Sequence, residues 1–276
     1  MNDSQSNLPP VPPPPTEFVD MVQQELEAMI PFSARVRDAF WQLGGMVAMF
    51  VRAIKRAVTP PFSLSSIAYQ IEVLGVHSLA IGTLTAVFAG LVMSLQFAFF
   101  LGKFGVQHTV GKVVVLTLFR ELGPVLMALT VGARIGSGIA AELGSMKVTE
   151  QLDAIRALGA DPIRKLVMPR LIACAIVLPA LTALADVLGL AAGSLVVYTQ
   201  YEIPIEQYFR SAVETATLLD FSSGIAKSAV FGVIVAMVGC YKGFEVTGGT
   251  EGVGRATTQT VAVASVSVLL SDFFLT

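Results

Sequence analysis

Charged side chains lie within runs of apolar residues in this sequence, among them Arg120, Glu121, Lys227 and Asp272. A charge at the centre of a bilayer costs about 2.5–3.5 kcal/mol even on the most lenient insertion scale. Such residues are therefore expected to pair with one another or to face a wet cavity. Two interpretations remain open, namely ion pairs that lock helices together and a polar layer beside a ligand cavity.

An apolar stripe accompanies these charges. In the first long apolar run, large side chains recur at the spacing of one helical face, at Met93, Phe97, Phe100, Leu101 and Phe104. The stripe is compatible with the wall of a ligand cavity. It is equally compatible with ordinary contact to another helix or to lipid.

Residues that carry catalytic or metal chemistry do not form a recognisable pattern. His77 and His108 have no Cys, Asp or Glu at metal-ligand spacing, and Cys174 and Cys240 lie in apolar runs typical of buried thiols. The segment 249–256, GTEGVGRA, lacks the Lys and Ser/Thr of a phosphate-binding loop. We therefore predict no catalytic residue, no metal and no cofactor in this chain, so that any energy source belongs to another subunit.

The composition is that of a membrane protein. Apolar residues make up 54% of the chain and charged residues 14%, and the mean hydropathy is +0.72. Apolar runs long enough to cross a bilayer predict an all-α, polytopic protein with five transmembrane helices. The predicted spans are about 79–101, 113–140, 167–201, 221–241 and 258–276. Within the second span, Gly132, Gly136, Ala140 and Gly144 recur every four residues, which predicts close approach of a neighbouring helix.

The chain before the first span divides into two parts. Residues 1–16 are Pro-rich and predict a disordered tail. Residues 17–61 contain an amphipathic pattern with Trp, Phe and several cations, which favours a helix in the bilayer interface over a soluble helix packed on a partner. Residues 62–276 form the predicted membrane domain.

The distribution of cations predicts the orientation. The N-terminal segment and the 146–170 loop each carry five Lys or Arg, whereas the 202–220 loop carries only Arg210 against four acids. By the positive-inside rule, the N-terminus and the 146–170 loop are cytoplasmic and the C-terminus is external. The cytoplasmic loop contains a short helix, predicted from Thr149 to Leu158.

Several motifs resemble the permeases of the MlaE/YrbE family. The central ones are RELGP at 120–124, GARIGS at 132–137, AELGSMKVTEQLDAI at 141–155 and GADPIR at 159–164. The C-terminal ones are GVGRATT at 252–258 and DFFLT at 272–276. Together these motifs make the resemblance run from about Ile67 to Thr276.

The resemblance implies a homodimer in the bacterial inner membrane, with phospholipid bound in a cavity between the two copies. It also implies an MlaF-like ATPase that binds the ATP, a periplasmic MCE-domain (MlaD-like) partner, and room for a small MlaB-like cytoplasmic subunit. No nucleic-acid partner is implied. The segment 142–165 matches the family's coupling segment for the ATPase, with candidate contacts Glu142, Glu150, Gln151, Asp153, Arg156, Asp161 and Arg164. Arg120, Glu121, Lys227 and Asp272 match its intramembrane polar positions.

Two other functions are weighed beside a lipid permease of an ABC transporter. An ion- or proton-coupled secondary carrier would use the buried charges as a relay, although five spans without an inverted repeat argue against it. A membrane scaffold with no transport path would use them only as ion pairs.

Overall fold

The computed structural model describes residues 32–57 and 64–276. The predicted tail 1–16, together with residues 17–31 and 58–61 of the predicted 17–61 region, lies outside these residues. By its contacts the chain divides into residues 1–47 and residues 48–276.

Every regular element in the described residues is helical. The α-helices are, in order, α1 Phe32–Ala57, α2 Leu64–Val76, α3 Leu79–Gly102, α4 Val110–Thr117, α5 Gly123–Val148, α6 Gln151–Ala157, α7 Met168–Tyr201, α8 Ile205–Thr215, α9 Leu218–Phe244 and α10 Gly249–Leu275. A 3-10 turn, Gln107–Thr109, precedes α4, and π-helical turns occupy Leu118–Leu122 and Ile163–Val167.

The predicted all-α fold with five spans is confirmed. Five helical stretches in the described residues are long and apolar enough to cross a membrane: Leu79–Gly102, Gln107–Val148, Ile163–Tyr201, Leu218–Phe244 and Gly249–Leu275. We number them spans 1 to 5. The second is much longer than the predicted 113–140, because α4, the π turn and α5 follow one another without a loop.

Two segments between spans are largely helical, and the first of them is the predicted 202–220 loop. The 202–220 segment contains α8, whose buried face is formed by Tyr208, Ser211 and Ala212. The Tyr208 hydroxyl lies 3.1 Å from Ser94 Oγ of α3, and burial raises the pKa of Tyr208 to about 12. This buried contact between two hydroxyl groups anchors α8 on α3. The second is the Gly-rich segment 243–254, in which only Glu245–Gly248 are not helical, because α9 ends at Phe244 and α10 begins at Gly249.

The spans pack through small residues. Helix α9 contacts α5, α7 and α10, while α3 packs on α7. A Cβ atom added to Gly90 of α3 would lie 2.0 Å from the backbone oxygen of Gly189 in α7, so these two helices meet backbone to backbone. On α5, the predicted small-residue row is buried, with Val235 of α9 lying against both Gly132 and Gly136.

We predict that Gly90→Ala destabilises the protein by about 1–3 kcal/mol, because α3 and α7 must separate to admit one methyl group. The measurement is the Tm of the purified protein in detergent. Gly254→Ala is the matched control, since a Cβ added to that helical glycine meets no atom within 4 Å. Equal melting temperatures for the two variants would contradict the close contact between α3 and α7.

Candidate functional site

The Lys227 ammonium lies where spans 2, 4 and 5 meet. Its Nζ donates to Glu121 Oε2 at 2.9 Å and to Thr276 Oγ1 at 2.7 Å, and it lies 3.5 Å from Asp272 Oδ1. Thr276 Oγ1 is also 3.1 Å from Glu121 Oε2, which closes the ring of contacts. We call Lys227, Glu121, Asp272 and Thr276 the charge cluster.

The charge cluster is buried on the lysine side and open on the glutamate side. The Lys227 side chain is 7% exposed, whereas that of Glu121 is 36% exposed. One ammonium faces two carboxylates, so the cluster has a formal charge of −1. Its attractions strengthen when water is excluded, because the local dielectric constant falls. The arrangement can hold three spans together and can present Glu121 to a polar group of a ligand.

A proline positions Glu121. Pro124 has no N–H group, and in a regular α-helix its ring would clash with the carbonyl of Arg120 four residues earlier. The chain forms a π turn instead, in which the Gly123 N–H bonds to Leu118 O. The second π turn precedes Pro169 in the same way. Such single wide turns are frequent at functional sites because they rotate the side chains that follow.

Asp186 of α7 lies beside this π turn. It is 2% exposed, and its Oδ1 has no hydrogen-bond partner among the described residues. A Cβ atom added to Gly123 would stand 2.2 Å from that oxygen, so the glycine is required for the carboxyl group to fit. The sequence alone gave Asp186 no role, because no motif contains it.

Arg120 lies outside the charge cluster. Its Nε is 3.7 Å from Asp220 Oδ1, and its side chain is 55% exposed. Asp220 belongs to the capping box of α9, in which its carboxylate accepts from the Thr217 N–H and its own N–H donates to Thr217 Oγ1. Three of the four predicted polar positions are thus in contact, and the fourth pairs with a helix cap.

The apolar stripe on α3 divides into two parts. Phe97 and Leu101 are partly buried and pack against the core formed with α4, α7 and α8. Phe100 and Phe104 are 57% and 66% exposed, and their rings contact each other edge to face with centroids 5.2 Å apart. Met93 is half-buried. The exposed half of the stripe is available to lipid or to another chain.

Glu142 holds the base of the predicted coupling segment. Arg170 Nη2 lies 2.6 Å from Glu142 Oε1, and Arg170 Nη1 donates to Leu166 O at 2.7 Å. Because the Arg170 side chain is only 3% exposed, this pair fastens the end of α5 to the start of α7. The Glu142 carboxylate is therefore held in place by Arg170 of the same chain.

The coupling segment contains the short helix α6. Leu152 is fully buried, while Leu158 at the end of the helix is 85% exposed. Arg156 Nη1 bonds to Asp153 Oδ1 at 2.8 Å on the exposed face. Glu150 precedes Gln151, the first residue of α6, with a left-handed backbone of φ 59°.

Beyond α6, Asp161 Oδ1 accepts from the Ile163 N–H at 3.0 Å and caps the π turn that contains Arg164. All the candidate coupling residues after Glu142 therefore belong to α6 or to the turns that flank it.

Sequence reasoning missed Thr276, Asp220 and Arg170 as partners of the predicted charges. Thr276 and Asp220 have side chains common in loops and helix caps. Only the requirement that Lys227 and Arg120 find partners could have suggested them. Arg170 was counted only as a loop cation. Among the described residues, no group of three His, Cys, Asp or Glu side chains is placed to hold a metal ion.

We predict that Lys227→Met lowers stability by about 3–5 kcal/mol, because Glu121 and Asp272 are left without their cation. Arg120→Gln is the control and should change stability by at most about 1 kcal/mol, since its ion pair is largely exposed. Tm values in detergent provide the comparison. If the two variants lose equal stability, the charge cluster does not hold the three spans.

The chain matches a family model and several known proteins. The model described as Permease MlaE matches residues 67–276. A Rickettsia typhi protein named "Probable ABC transporter permease protein RT0041" is 41% identical over 238 residues, covering 86% of this chain and 92% of the relative. A Synechocystis protein named "Probable ABC transporter permease protein slr1045" is 43% identical, over 75% and 78% of the two chains.

A plant protein is also similar. Protein TRIGALACTOSYLDIACYLGLYCEROL 1, chloroplastic, of Arabidopsis thaliana is 36% identical over 90% of this chain and 71% of its own length. The residues matched by the family model, 67–276, include all five spans, the charge cluster and the coupling segment. This chain therefore belongs to the MlaE permease family and is a permease subunit of an ABC transporter, not an enzyme.

Proposed function

We propose that this permease moves phospholipid, or a related lipid, between the bacterial inner membrane and a periplasmic MCE-domain partner, driven by a separate ATPase. The observation that carries the proposal is that one helix, α5, joins the charge cluster to the coupling segment. It begins directly after the π turn that contains Glu121 and ends at Val148, two residues before Glu150. Its 26 residues span about 39 Å, which is enough to cross the hydrocarbon layer.

The coupling segment is suited to bind a soluble ATPase subunit. Leu158 presents an exposed apolar side chain next to the Asp153–Arg156 pair, and an apolar centre with a charged rim is typical of protein interfaces. The Glu142–Arg170 pair makes the base rigid, so that a push on α6 is transmitted to α5 and α7. We propose an MlaF-like ATPase at this surface, with room for a small MlaB-like subunit on the cytoplasmic side.

The opposite end supports a lipid substrate. Next to Asp272 of the charge cluster, Phe273 and Phe274 of α10 are about 80% exposed, and Phe100 and Phe104 are exposed where span 1 ends. We propose that two copies of the chain enclose a lipid cavity between such surfaces, with Met93, Phe97 and Leu101 behind its wall. The plant relative carries the name of a galactosylated diacylglycerol, which is consistent with a two-chain lipid as substrate.

The charge cluster is proposed to act as a latch. It holds spans 2, 4 and 5 together, and ATP-driven movement of α5 separates Glu121 from Lys227 to open or close the cavity. The loop cations support an orientation in the inner membrane with the N-terminus and the coupling segment cytoplasmic and the C-terminus periplasmic. We propose that α1, whose Trp41 and Val47 are exposed, lies in the bilayer interface.

Reversing a charge on α6 should weaken the ATPase complex. We predict that Asp153→Lys lowers the affinity for the ATPase subunit about tenfold, which corresponds to roughly 1.4 kcal/mol, because a charge at the rim of the interface is inverted. The measurement is co-purification followed by titration of the purified subunits. Glu206→Lys, an exposed reversal on α8 at the other end of the bundle, is the control and should bind normally. Equal affinity of the two variants would remove α6 from the interface.

The latch can be separated from a purely structural role by neutralising the whole cluster. In the triple variant Glu121→Gln, Lys227→Met and Asp272→Asn, no charge is left unpaired, and loss of a complete buried ion cluster is often neutral for stability. We predict that this variant folds and binds the ATPase but loses most ATP-dependent lipid transfer between reconstituted vesicles. Transfer at the rate of the unmodified protein would show that the charges serve only to hold helices together.

A further inference from the structure

Asp186 is a buried acid that the charge cluster does not use. It lies near the middle of α7 and is 2% exposed, and within the part of the chain that the structure describes no hydrogen bond reaches its Oδ1. A buried polar group without a hydrogen bond costs free energy even when it is neutral, and an isolated buried charge costs far more. The carboxyl group of Asp186 therefore needs a partner that neutralises it.

The carbonyl oxygen of Leu118, in the π turn, lies close to this carboxyl group. A Cβ atom added to Gly123 would stand 2.2 Å from Asp186 Oδ1 and 2.7 Å from Leu118 O, so the two oxygen atoms are at most 4.9 Å apart. Leu118 O already accepts the Gly123 N–H, and a carbonyl oxygen has a second lone pair for another donor. Two acceptor oxygens in this arrangement are stabilised by a proton, a water molecule or a cation between them.

The surroundings favour a proton over a metal cation. A cavity of about 10 Å³ adjoins the carboxyl group and is lined by residues of α3, α5, α7 and the π turn. Among the described residues that line it, the one polar side chain besides Asp186 is Thr85. Ca²⁺ and Mg²⁺ take six or more oxygen ligands, which this lining does not supply. The cavity has room for about one water molecule.

The helices that line this cavity bring no opposite charge to Asp186. Span 1 contains no titratable residue. Along α7, the flanking titratable side chains are Cys174 and Tyr198, each twelve residues away, or about 18 Å along the helix. On α5 the first is Arg134, which follows the start of the helix by eleven residues, or about 16 Å.

The π turn carries two charges, Arg120 and Glu121, and both contact other residues. Arg120 Nε lies 3.7 Å from Asp220 Oδ1, and Glu121 Oε2 accepts from Lys227 at 2.9 Å. An ionised Asp186 would therefore lie unpaired beside a carbonyl oxygen that repels it. A protonated carboxyl group instead supplies the donor that this oxygen can accept.

We propose that Asp186 is a neutral carboxylic acid that donates a hydrogen bond to Leu118 O, directly or through one water molecule, and thereby ties span 3 to the π turn. Asp186 is a positioning residue, because fixing the turn to span 3 holds Glu121 at Lys227. The inference concerns the folded chain alone. It holds whether or not the charge cluster acts as a latch for lipid transport.

The direct test is infrared spectroscopy of the purified full chain in a detergent that has no ester group. A protonated carboxyl group has a C=O stretching band that a carboxylate lacks, and labelling the aspartate side chains with ¹³C shifts this band. At neutral pH we expect an isotope-sensitive band that is lost completely in Asp186→Asn. Asp153→Asn is the matched control and should leave the band unchanged, because that carboxylate is exposed and paired with Arg156.

Two substitutions distinguish a hydrogen-bond donor from a buried charge. Asp186→Asn keeps a donor of the same size, so its Tm in detergent should stay within about 2 °C of that of the unmodified chain. Asp186→Val has no donor and should lower the Tm by about 2–6 °C, because one buried hydrogen bond is lost. If Asp186 were ionised and unpaired, both substitutions would raise the Tm, since each removes an uncompensated charge.

A double-mutant cycle tests the link to Glu121. Without the hydrogen bond of Asp186 the π turn is held less firmly, so Glu121→Gln should lower the Tm less in the Asp186→Val background than in the unmodified chain. Additive losses of Tm would overturn this link. If Asp186→Val does not fold, the infrared comparison with Asp186→Asn still decides the protonation state.

The proposal as a whole is overturned if the infrared band is absent or persists in Asp186→Asn, or if both substitutions raise the Tm. It is also overturned if Na⁺ in place of K⁺ raises the Tm of the unmodified chain but not that of Asp186→Asn, since a cation then occupies the site. None of these measurements involves the ATPase or lipid transfer. Their failure would therefore leave the proposed function standing, and a chain that never transfers lipid could still show the band.

Discussion

A lysine ammonium that is 7% exposed within a membrane span must have partners, and the arrangement of the spans around Lys227 follows from this requirement. The partners come from spans 2 and 5, so the three helices that meet here are held at a common depth. Glu121 reaches Lys227 from a π turn that Pro124 imposes, and Gly123 leaves space for the buried Asp186 beside that turn. Pro124 and Gly123 therefore act together on Glu121, because the π turn that they permit places its carboxylate beside Lys227.

A second ion pair holds the opposite end of α5. Arg170, almost fully buried, joins Glu142 across the stems of the coupling segment. Between the two ion pairs, α5 is lined by small residues that allow α9 to approach closely, so the helix is enclosed by rigid neighbours for most of its length. A rigid rod fixed at both ends by ion pairs can transmit movement, since packed interfaces tend to switch between discrete arrangements.

Much of this architecture could be predicted from the sequence because its signals are local. Hydropathy located the five spans, and the row from Gly132 to Gly144 predicted a close helix contact. The charges at 121, 227 and 272 were singled out by the cost of burying them. What could not be predicted depends on tertiary contact. Amphipathic α8 is too short and too polar for hydropathy to distinguish it from a loop. Its buried face is recognisable only from contacts with other helices, such as that of Tyr208 with Ser94. Arg120 and Glu121 are adjacent in sequence, yet the π turn sends them to different partners.

We propose that ATP binding by the partner subunit opens the latch at the far end of α5. Spin labels at Arg120→Cys in span 2 and Leu219→Cys in span 4, both exposed near the charge cluster, would report the separation of these two spans by electron paramagnetic resonance distance measurements. The unmodified cysteines, Cys174 and Cys240, are buried. In the reconstituted complex, we predict that the distance distribution shifts by several ångströms between the nucleotide-free state and the vanadate-trapped state. A distribution that is unchanged by nucleotide, in a complex that hydrolyses ATP, would contradict it.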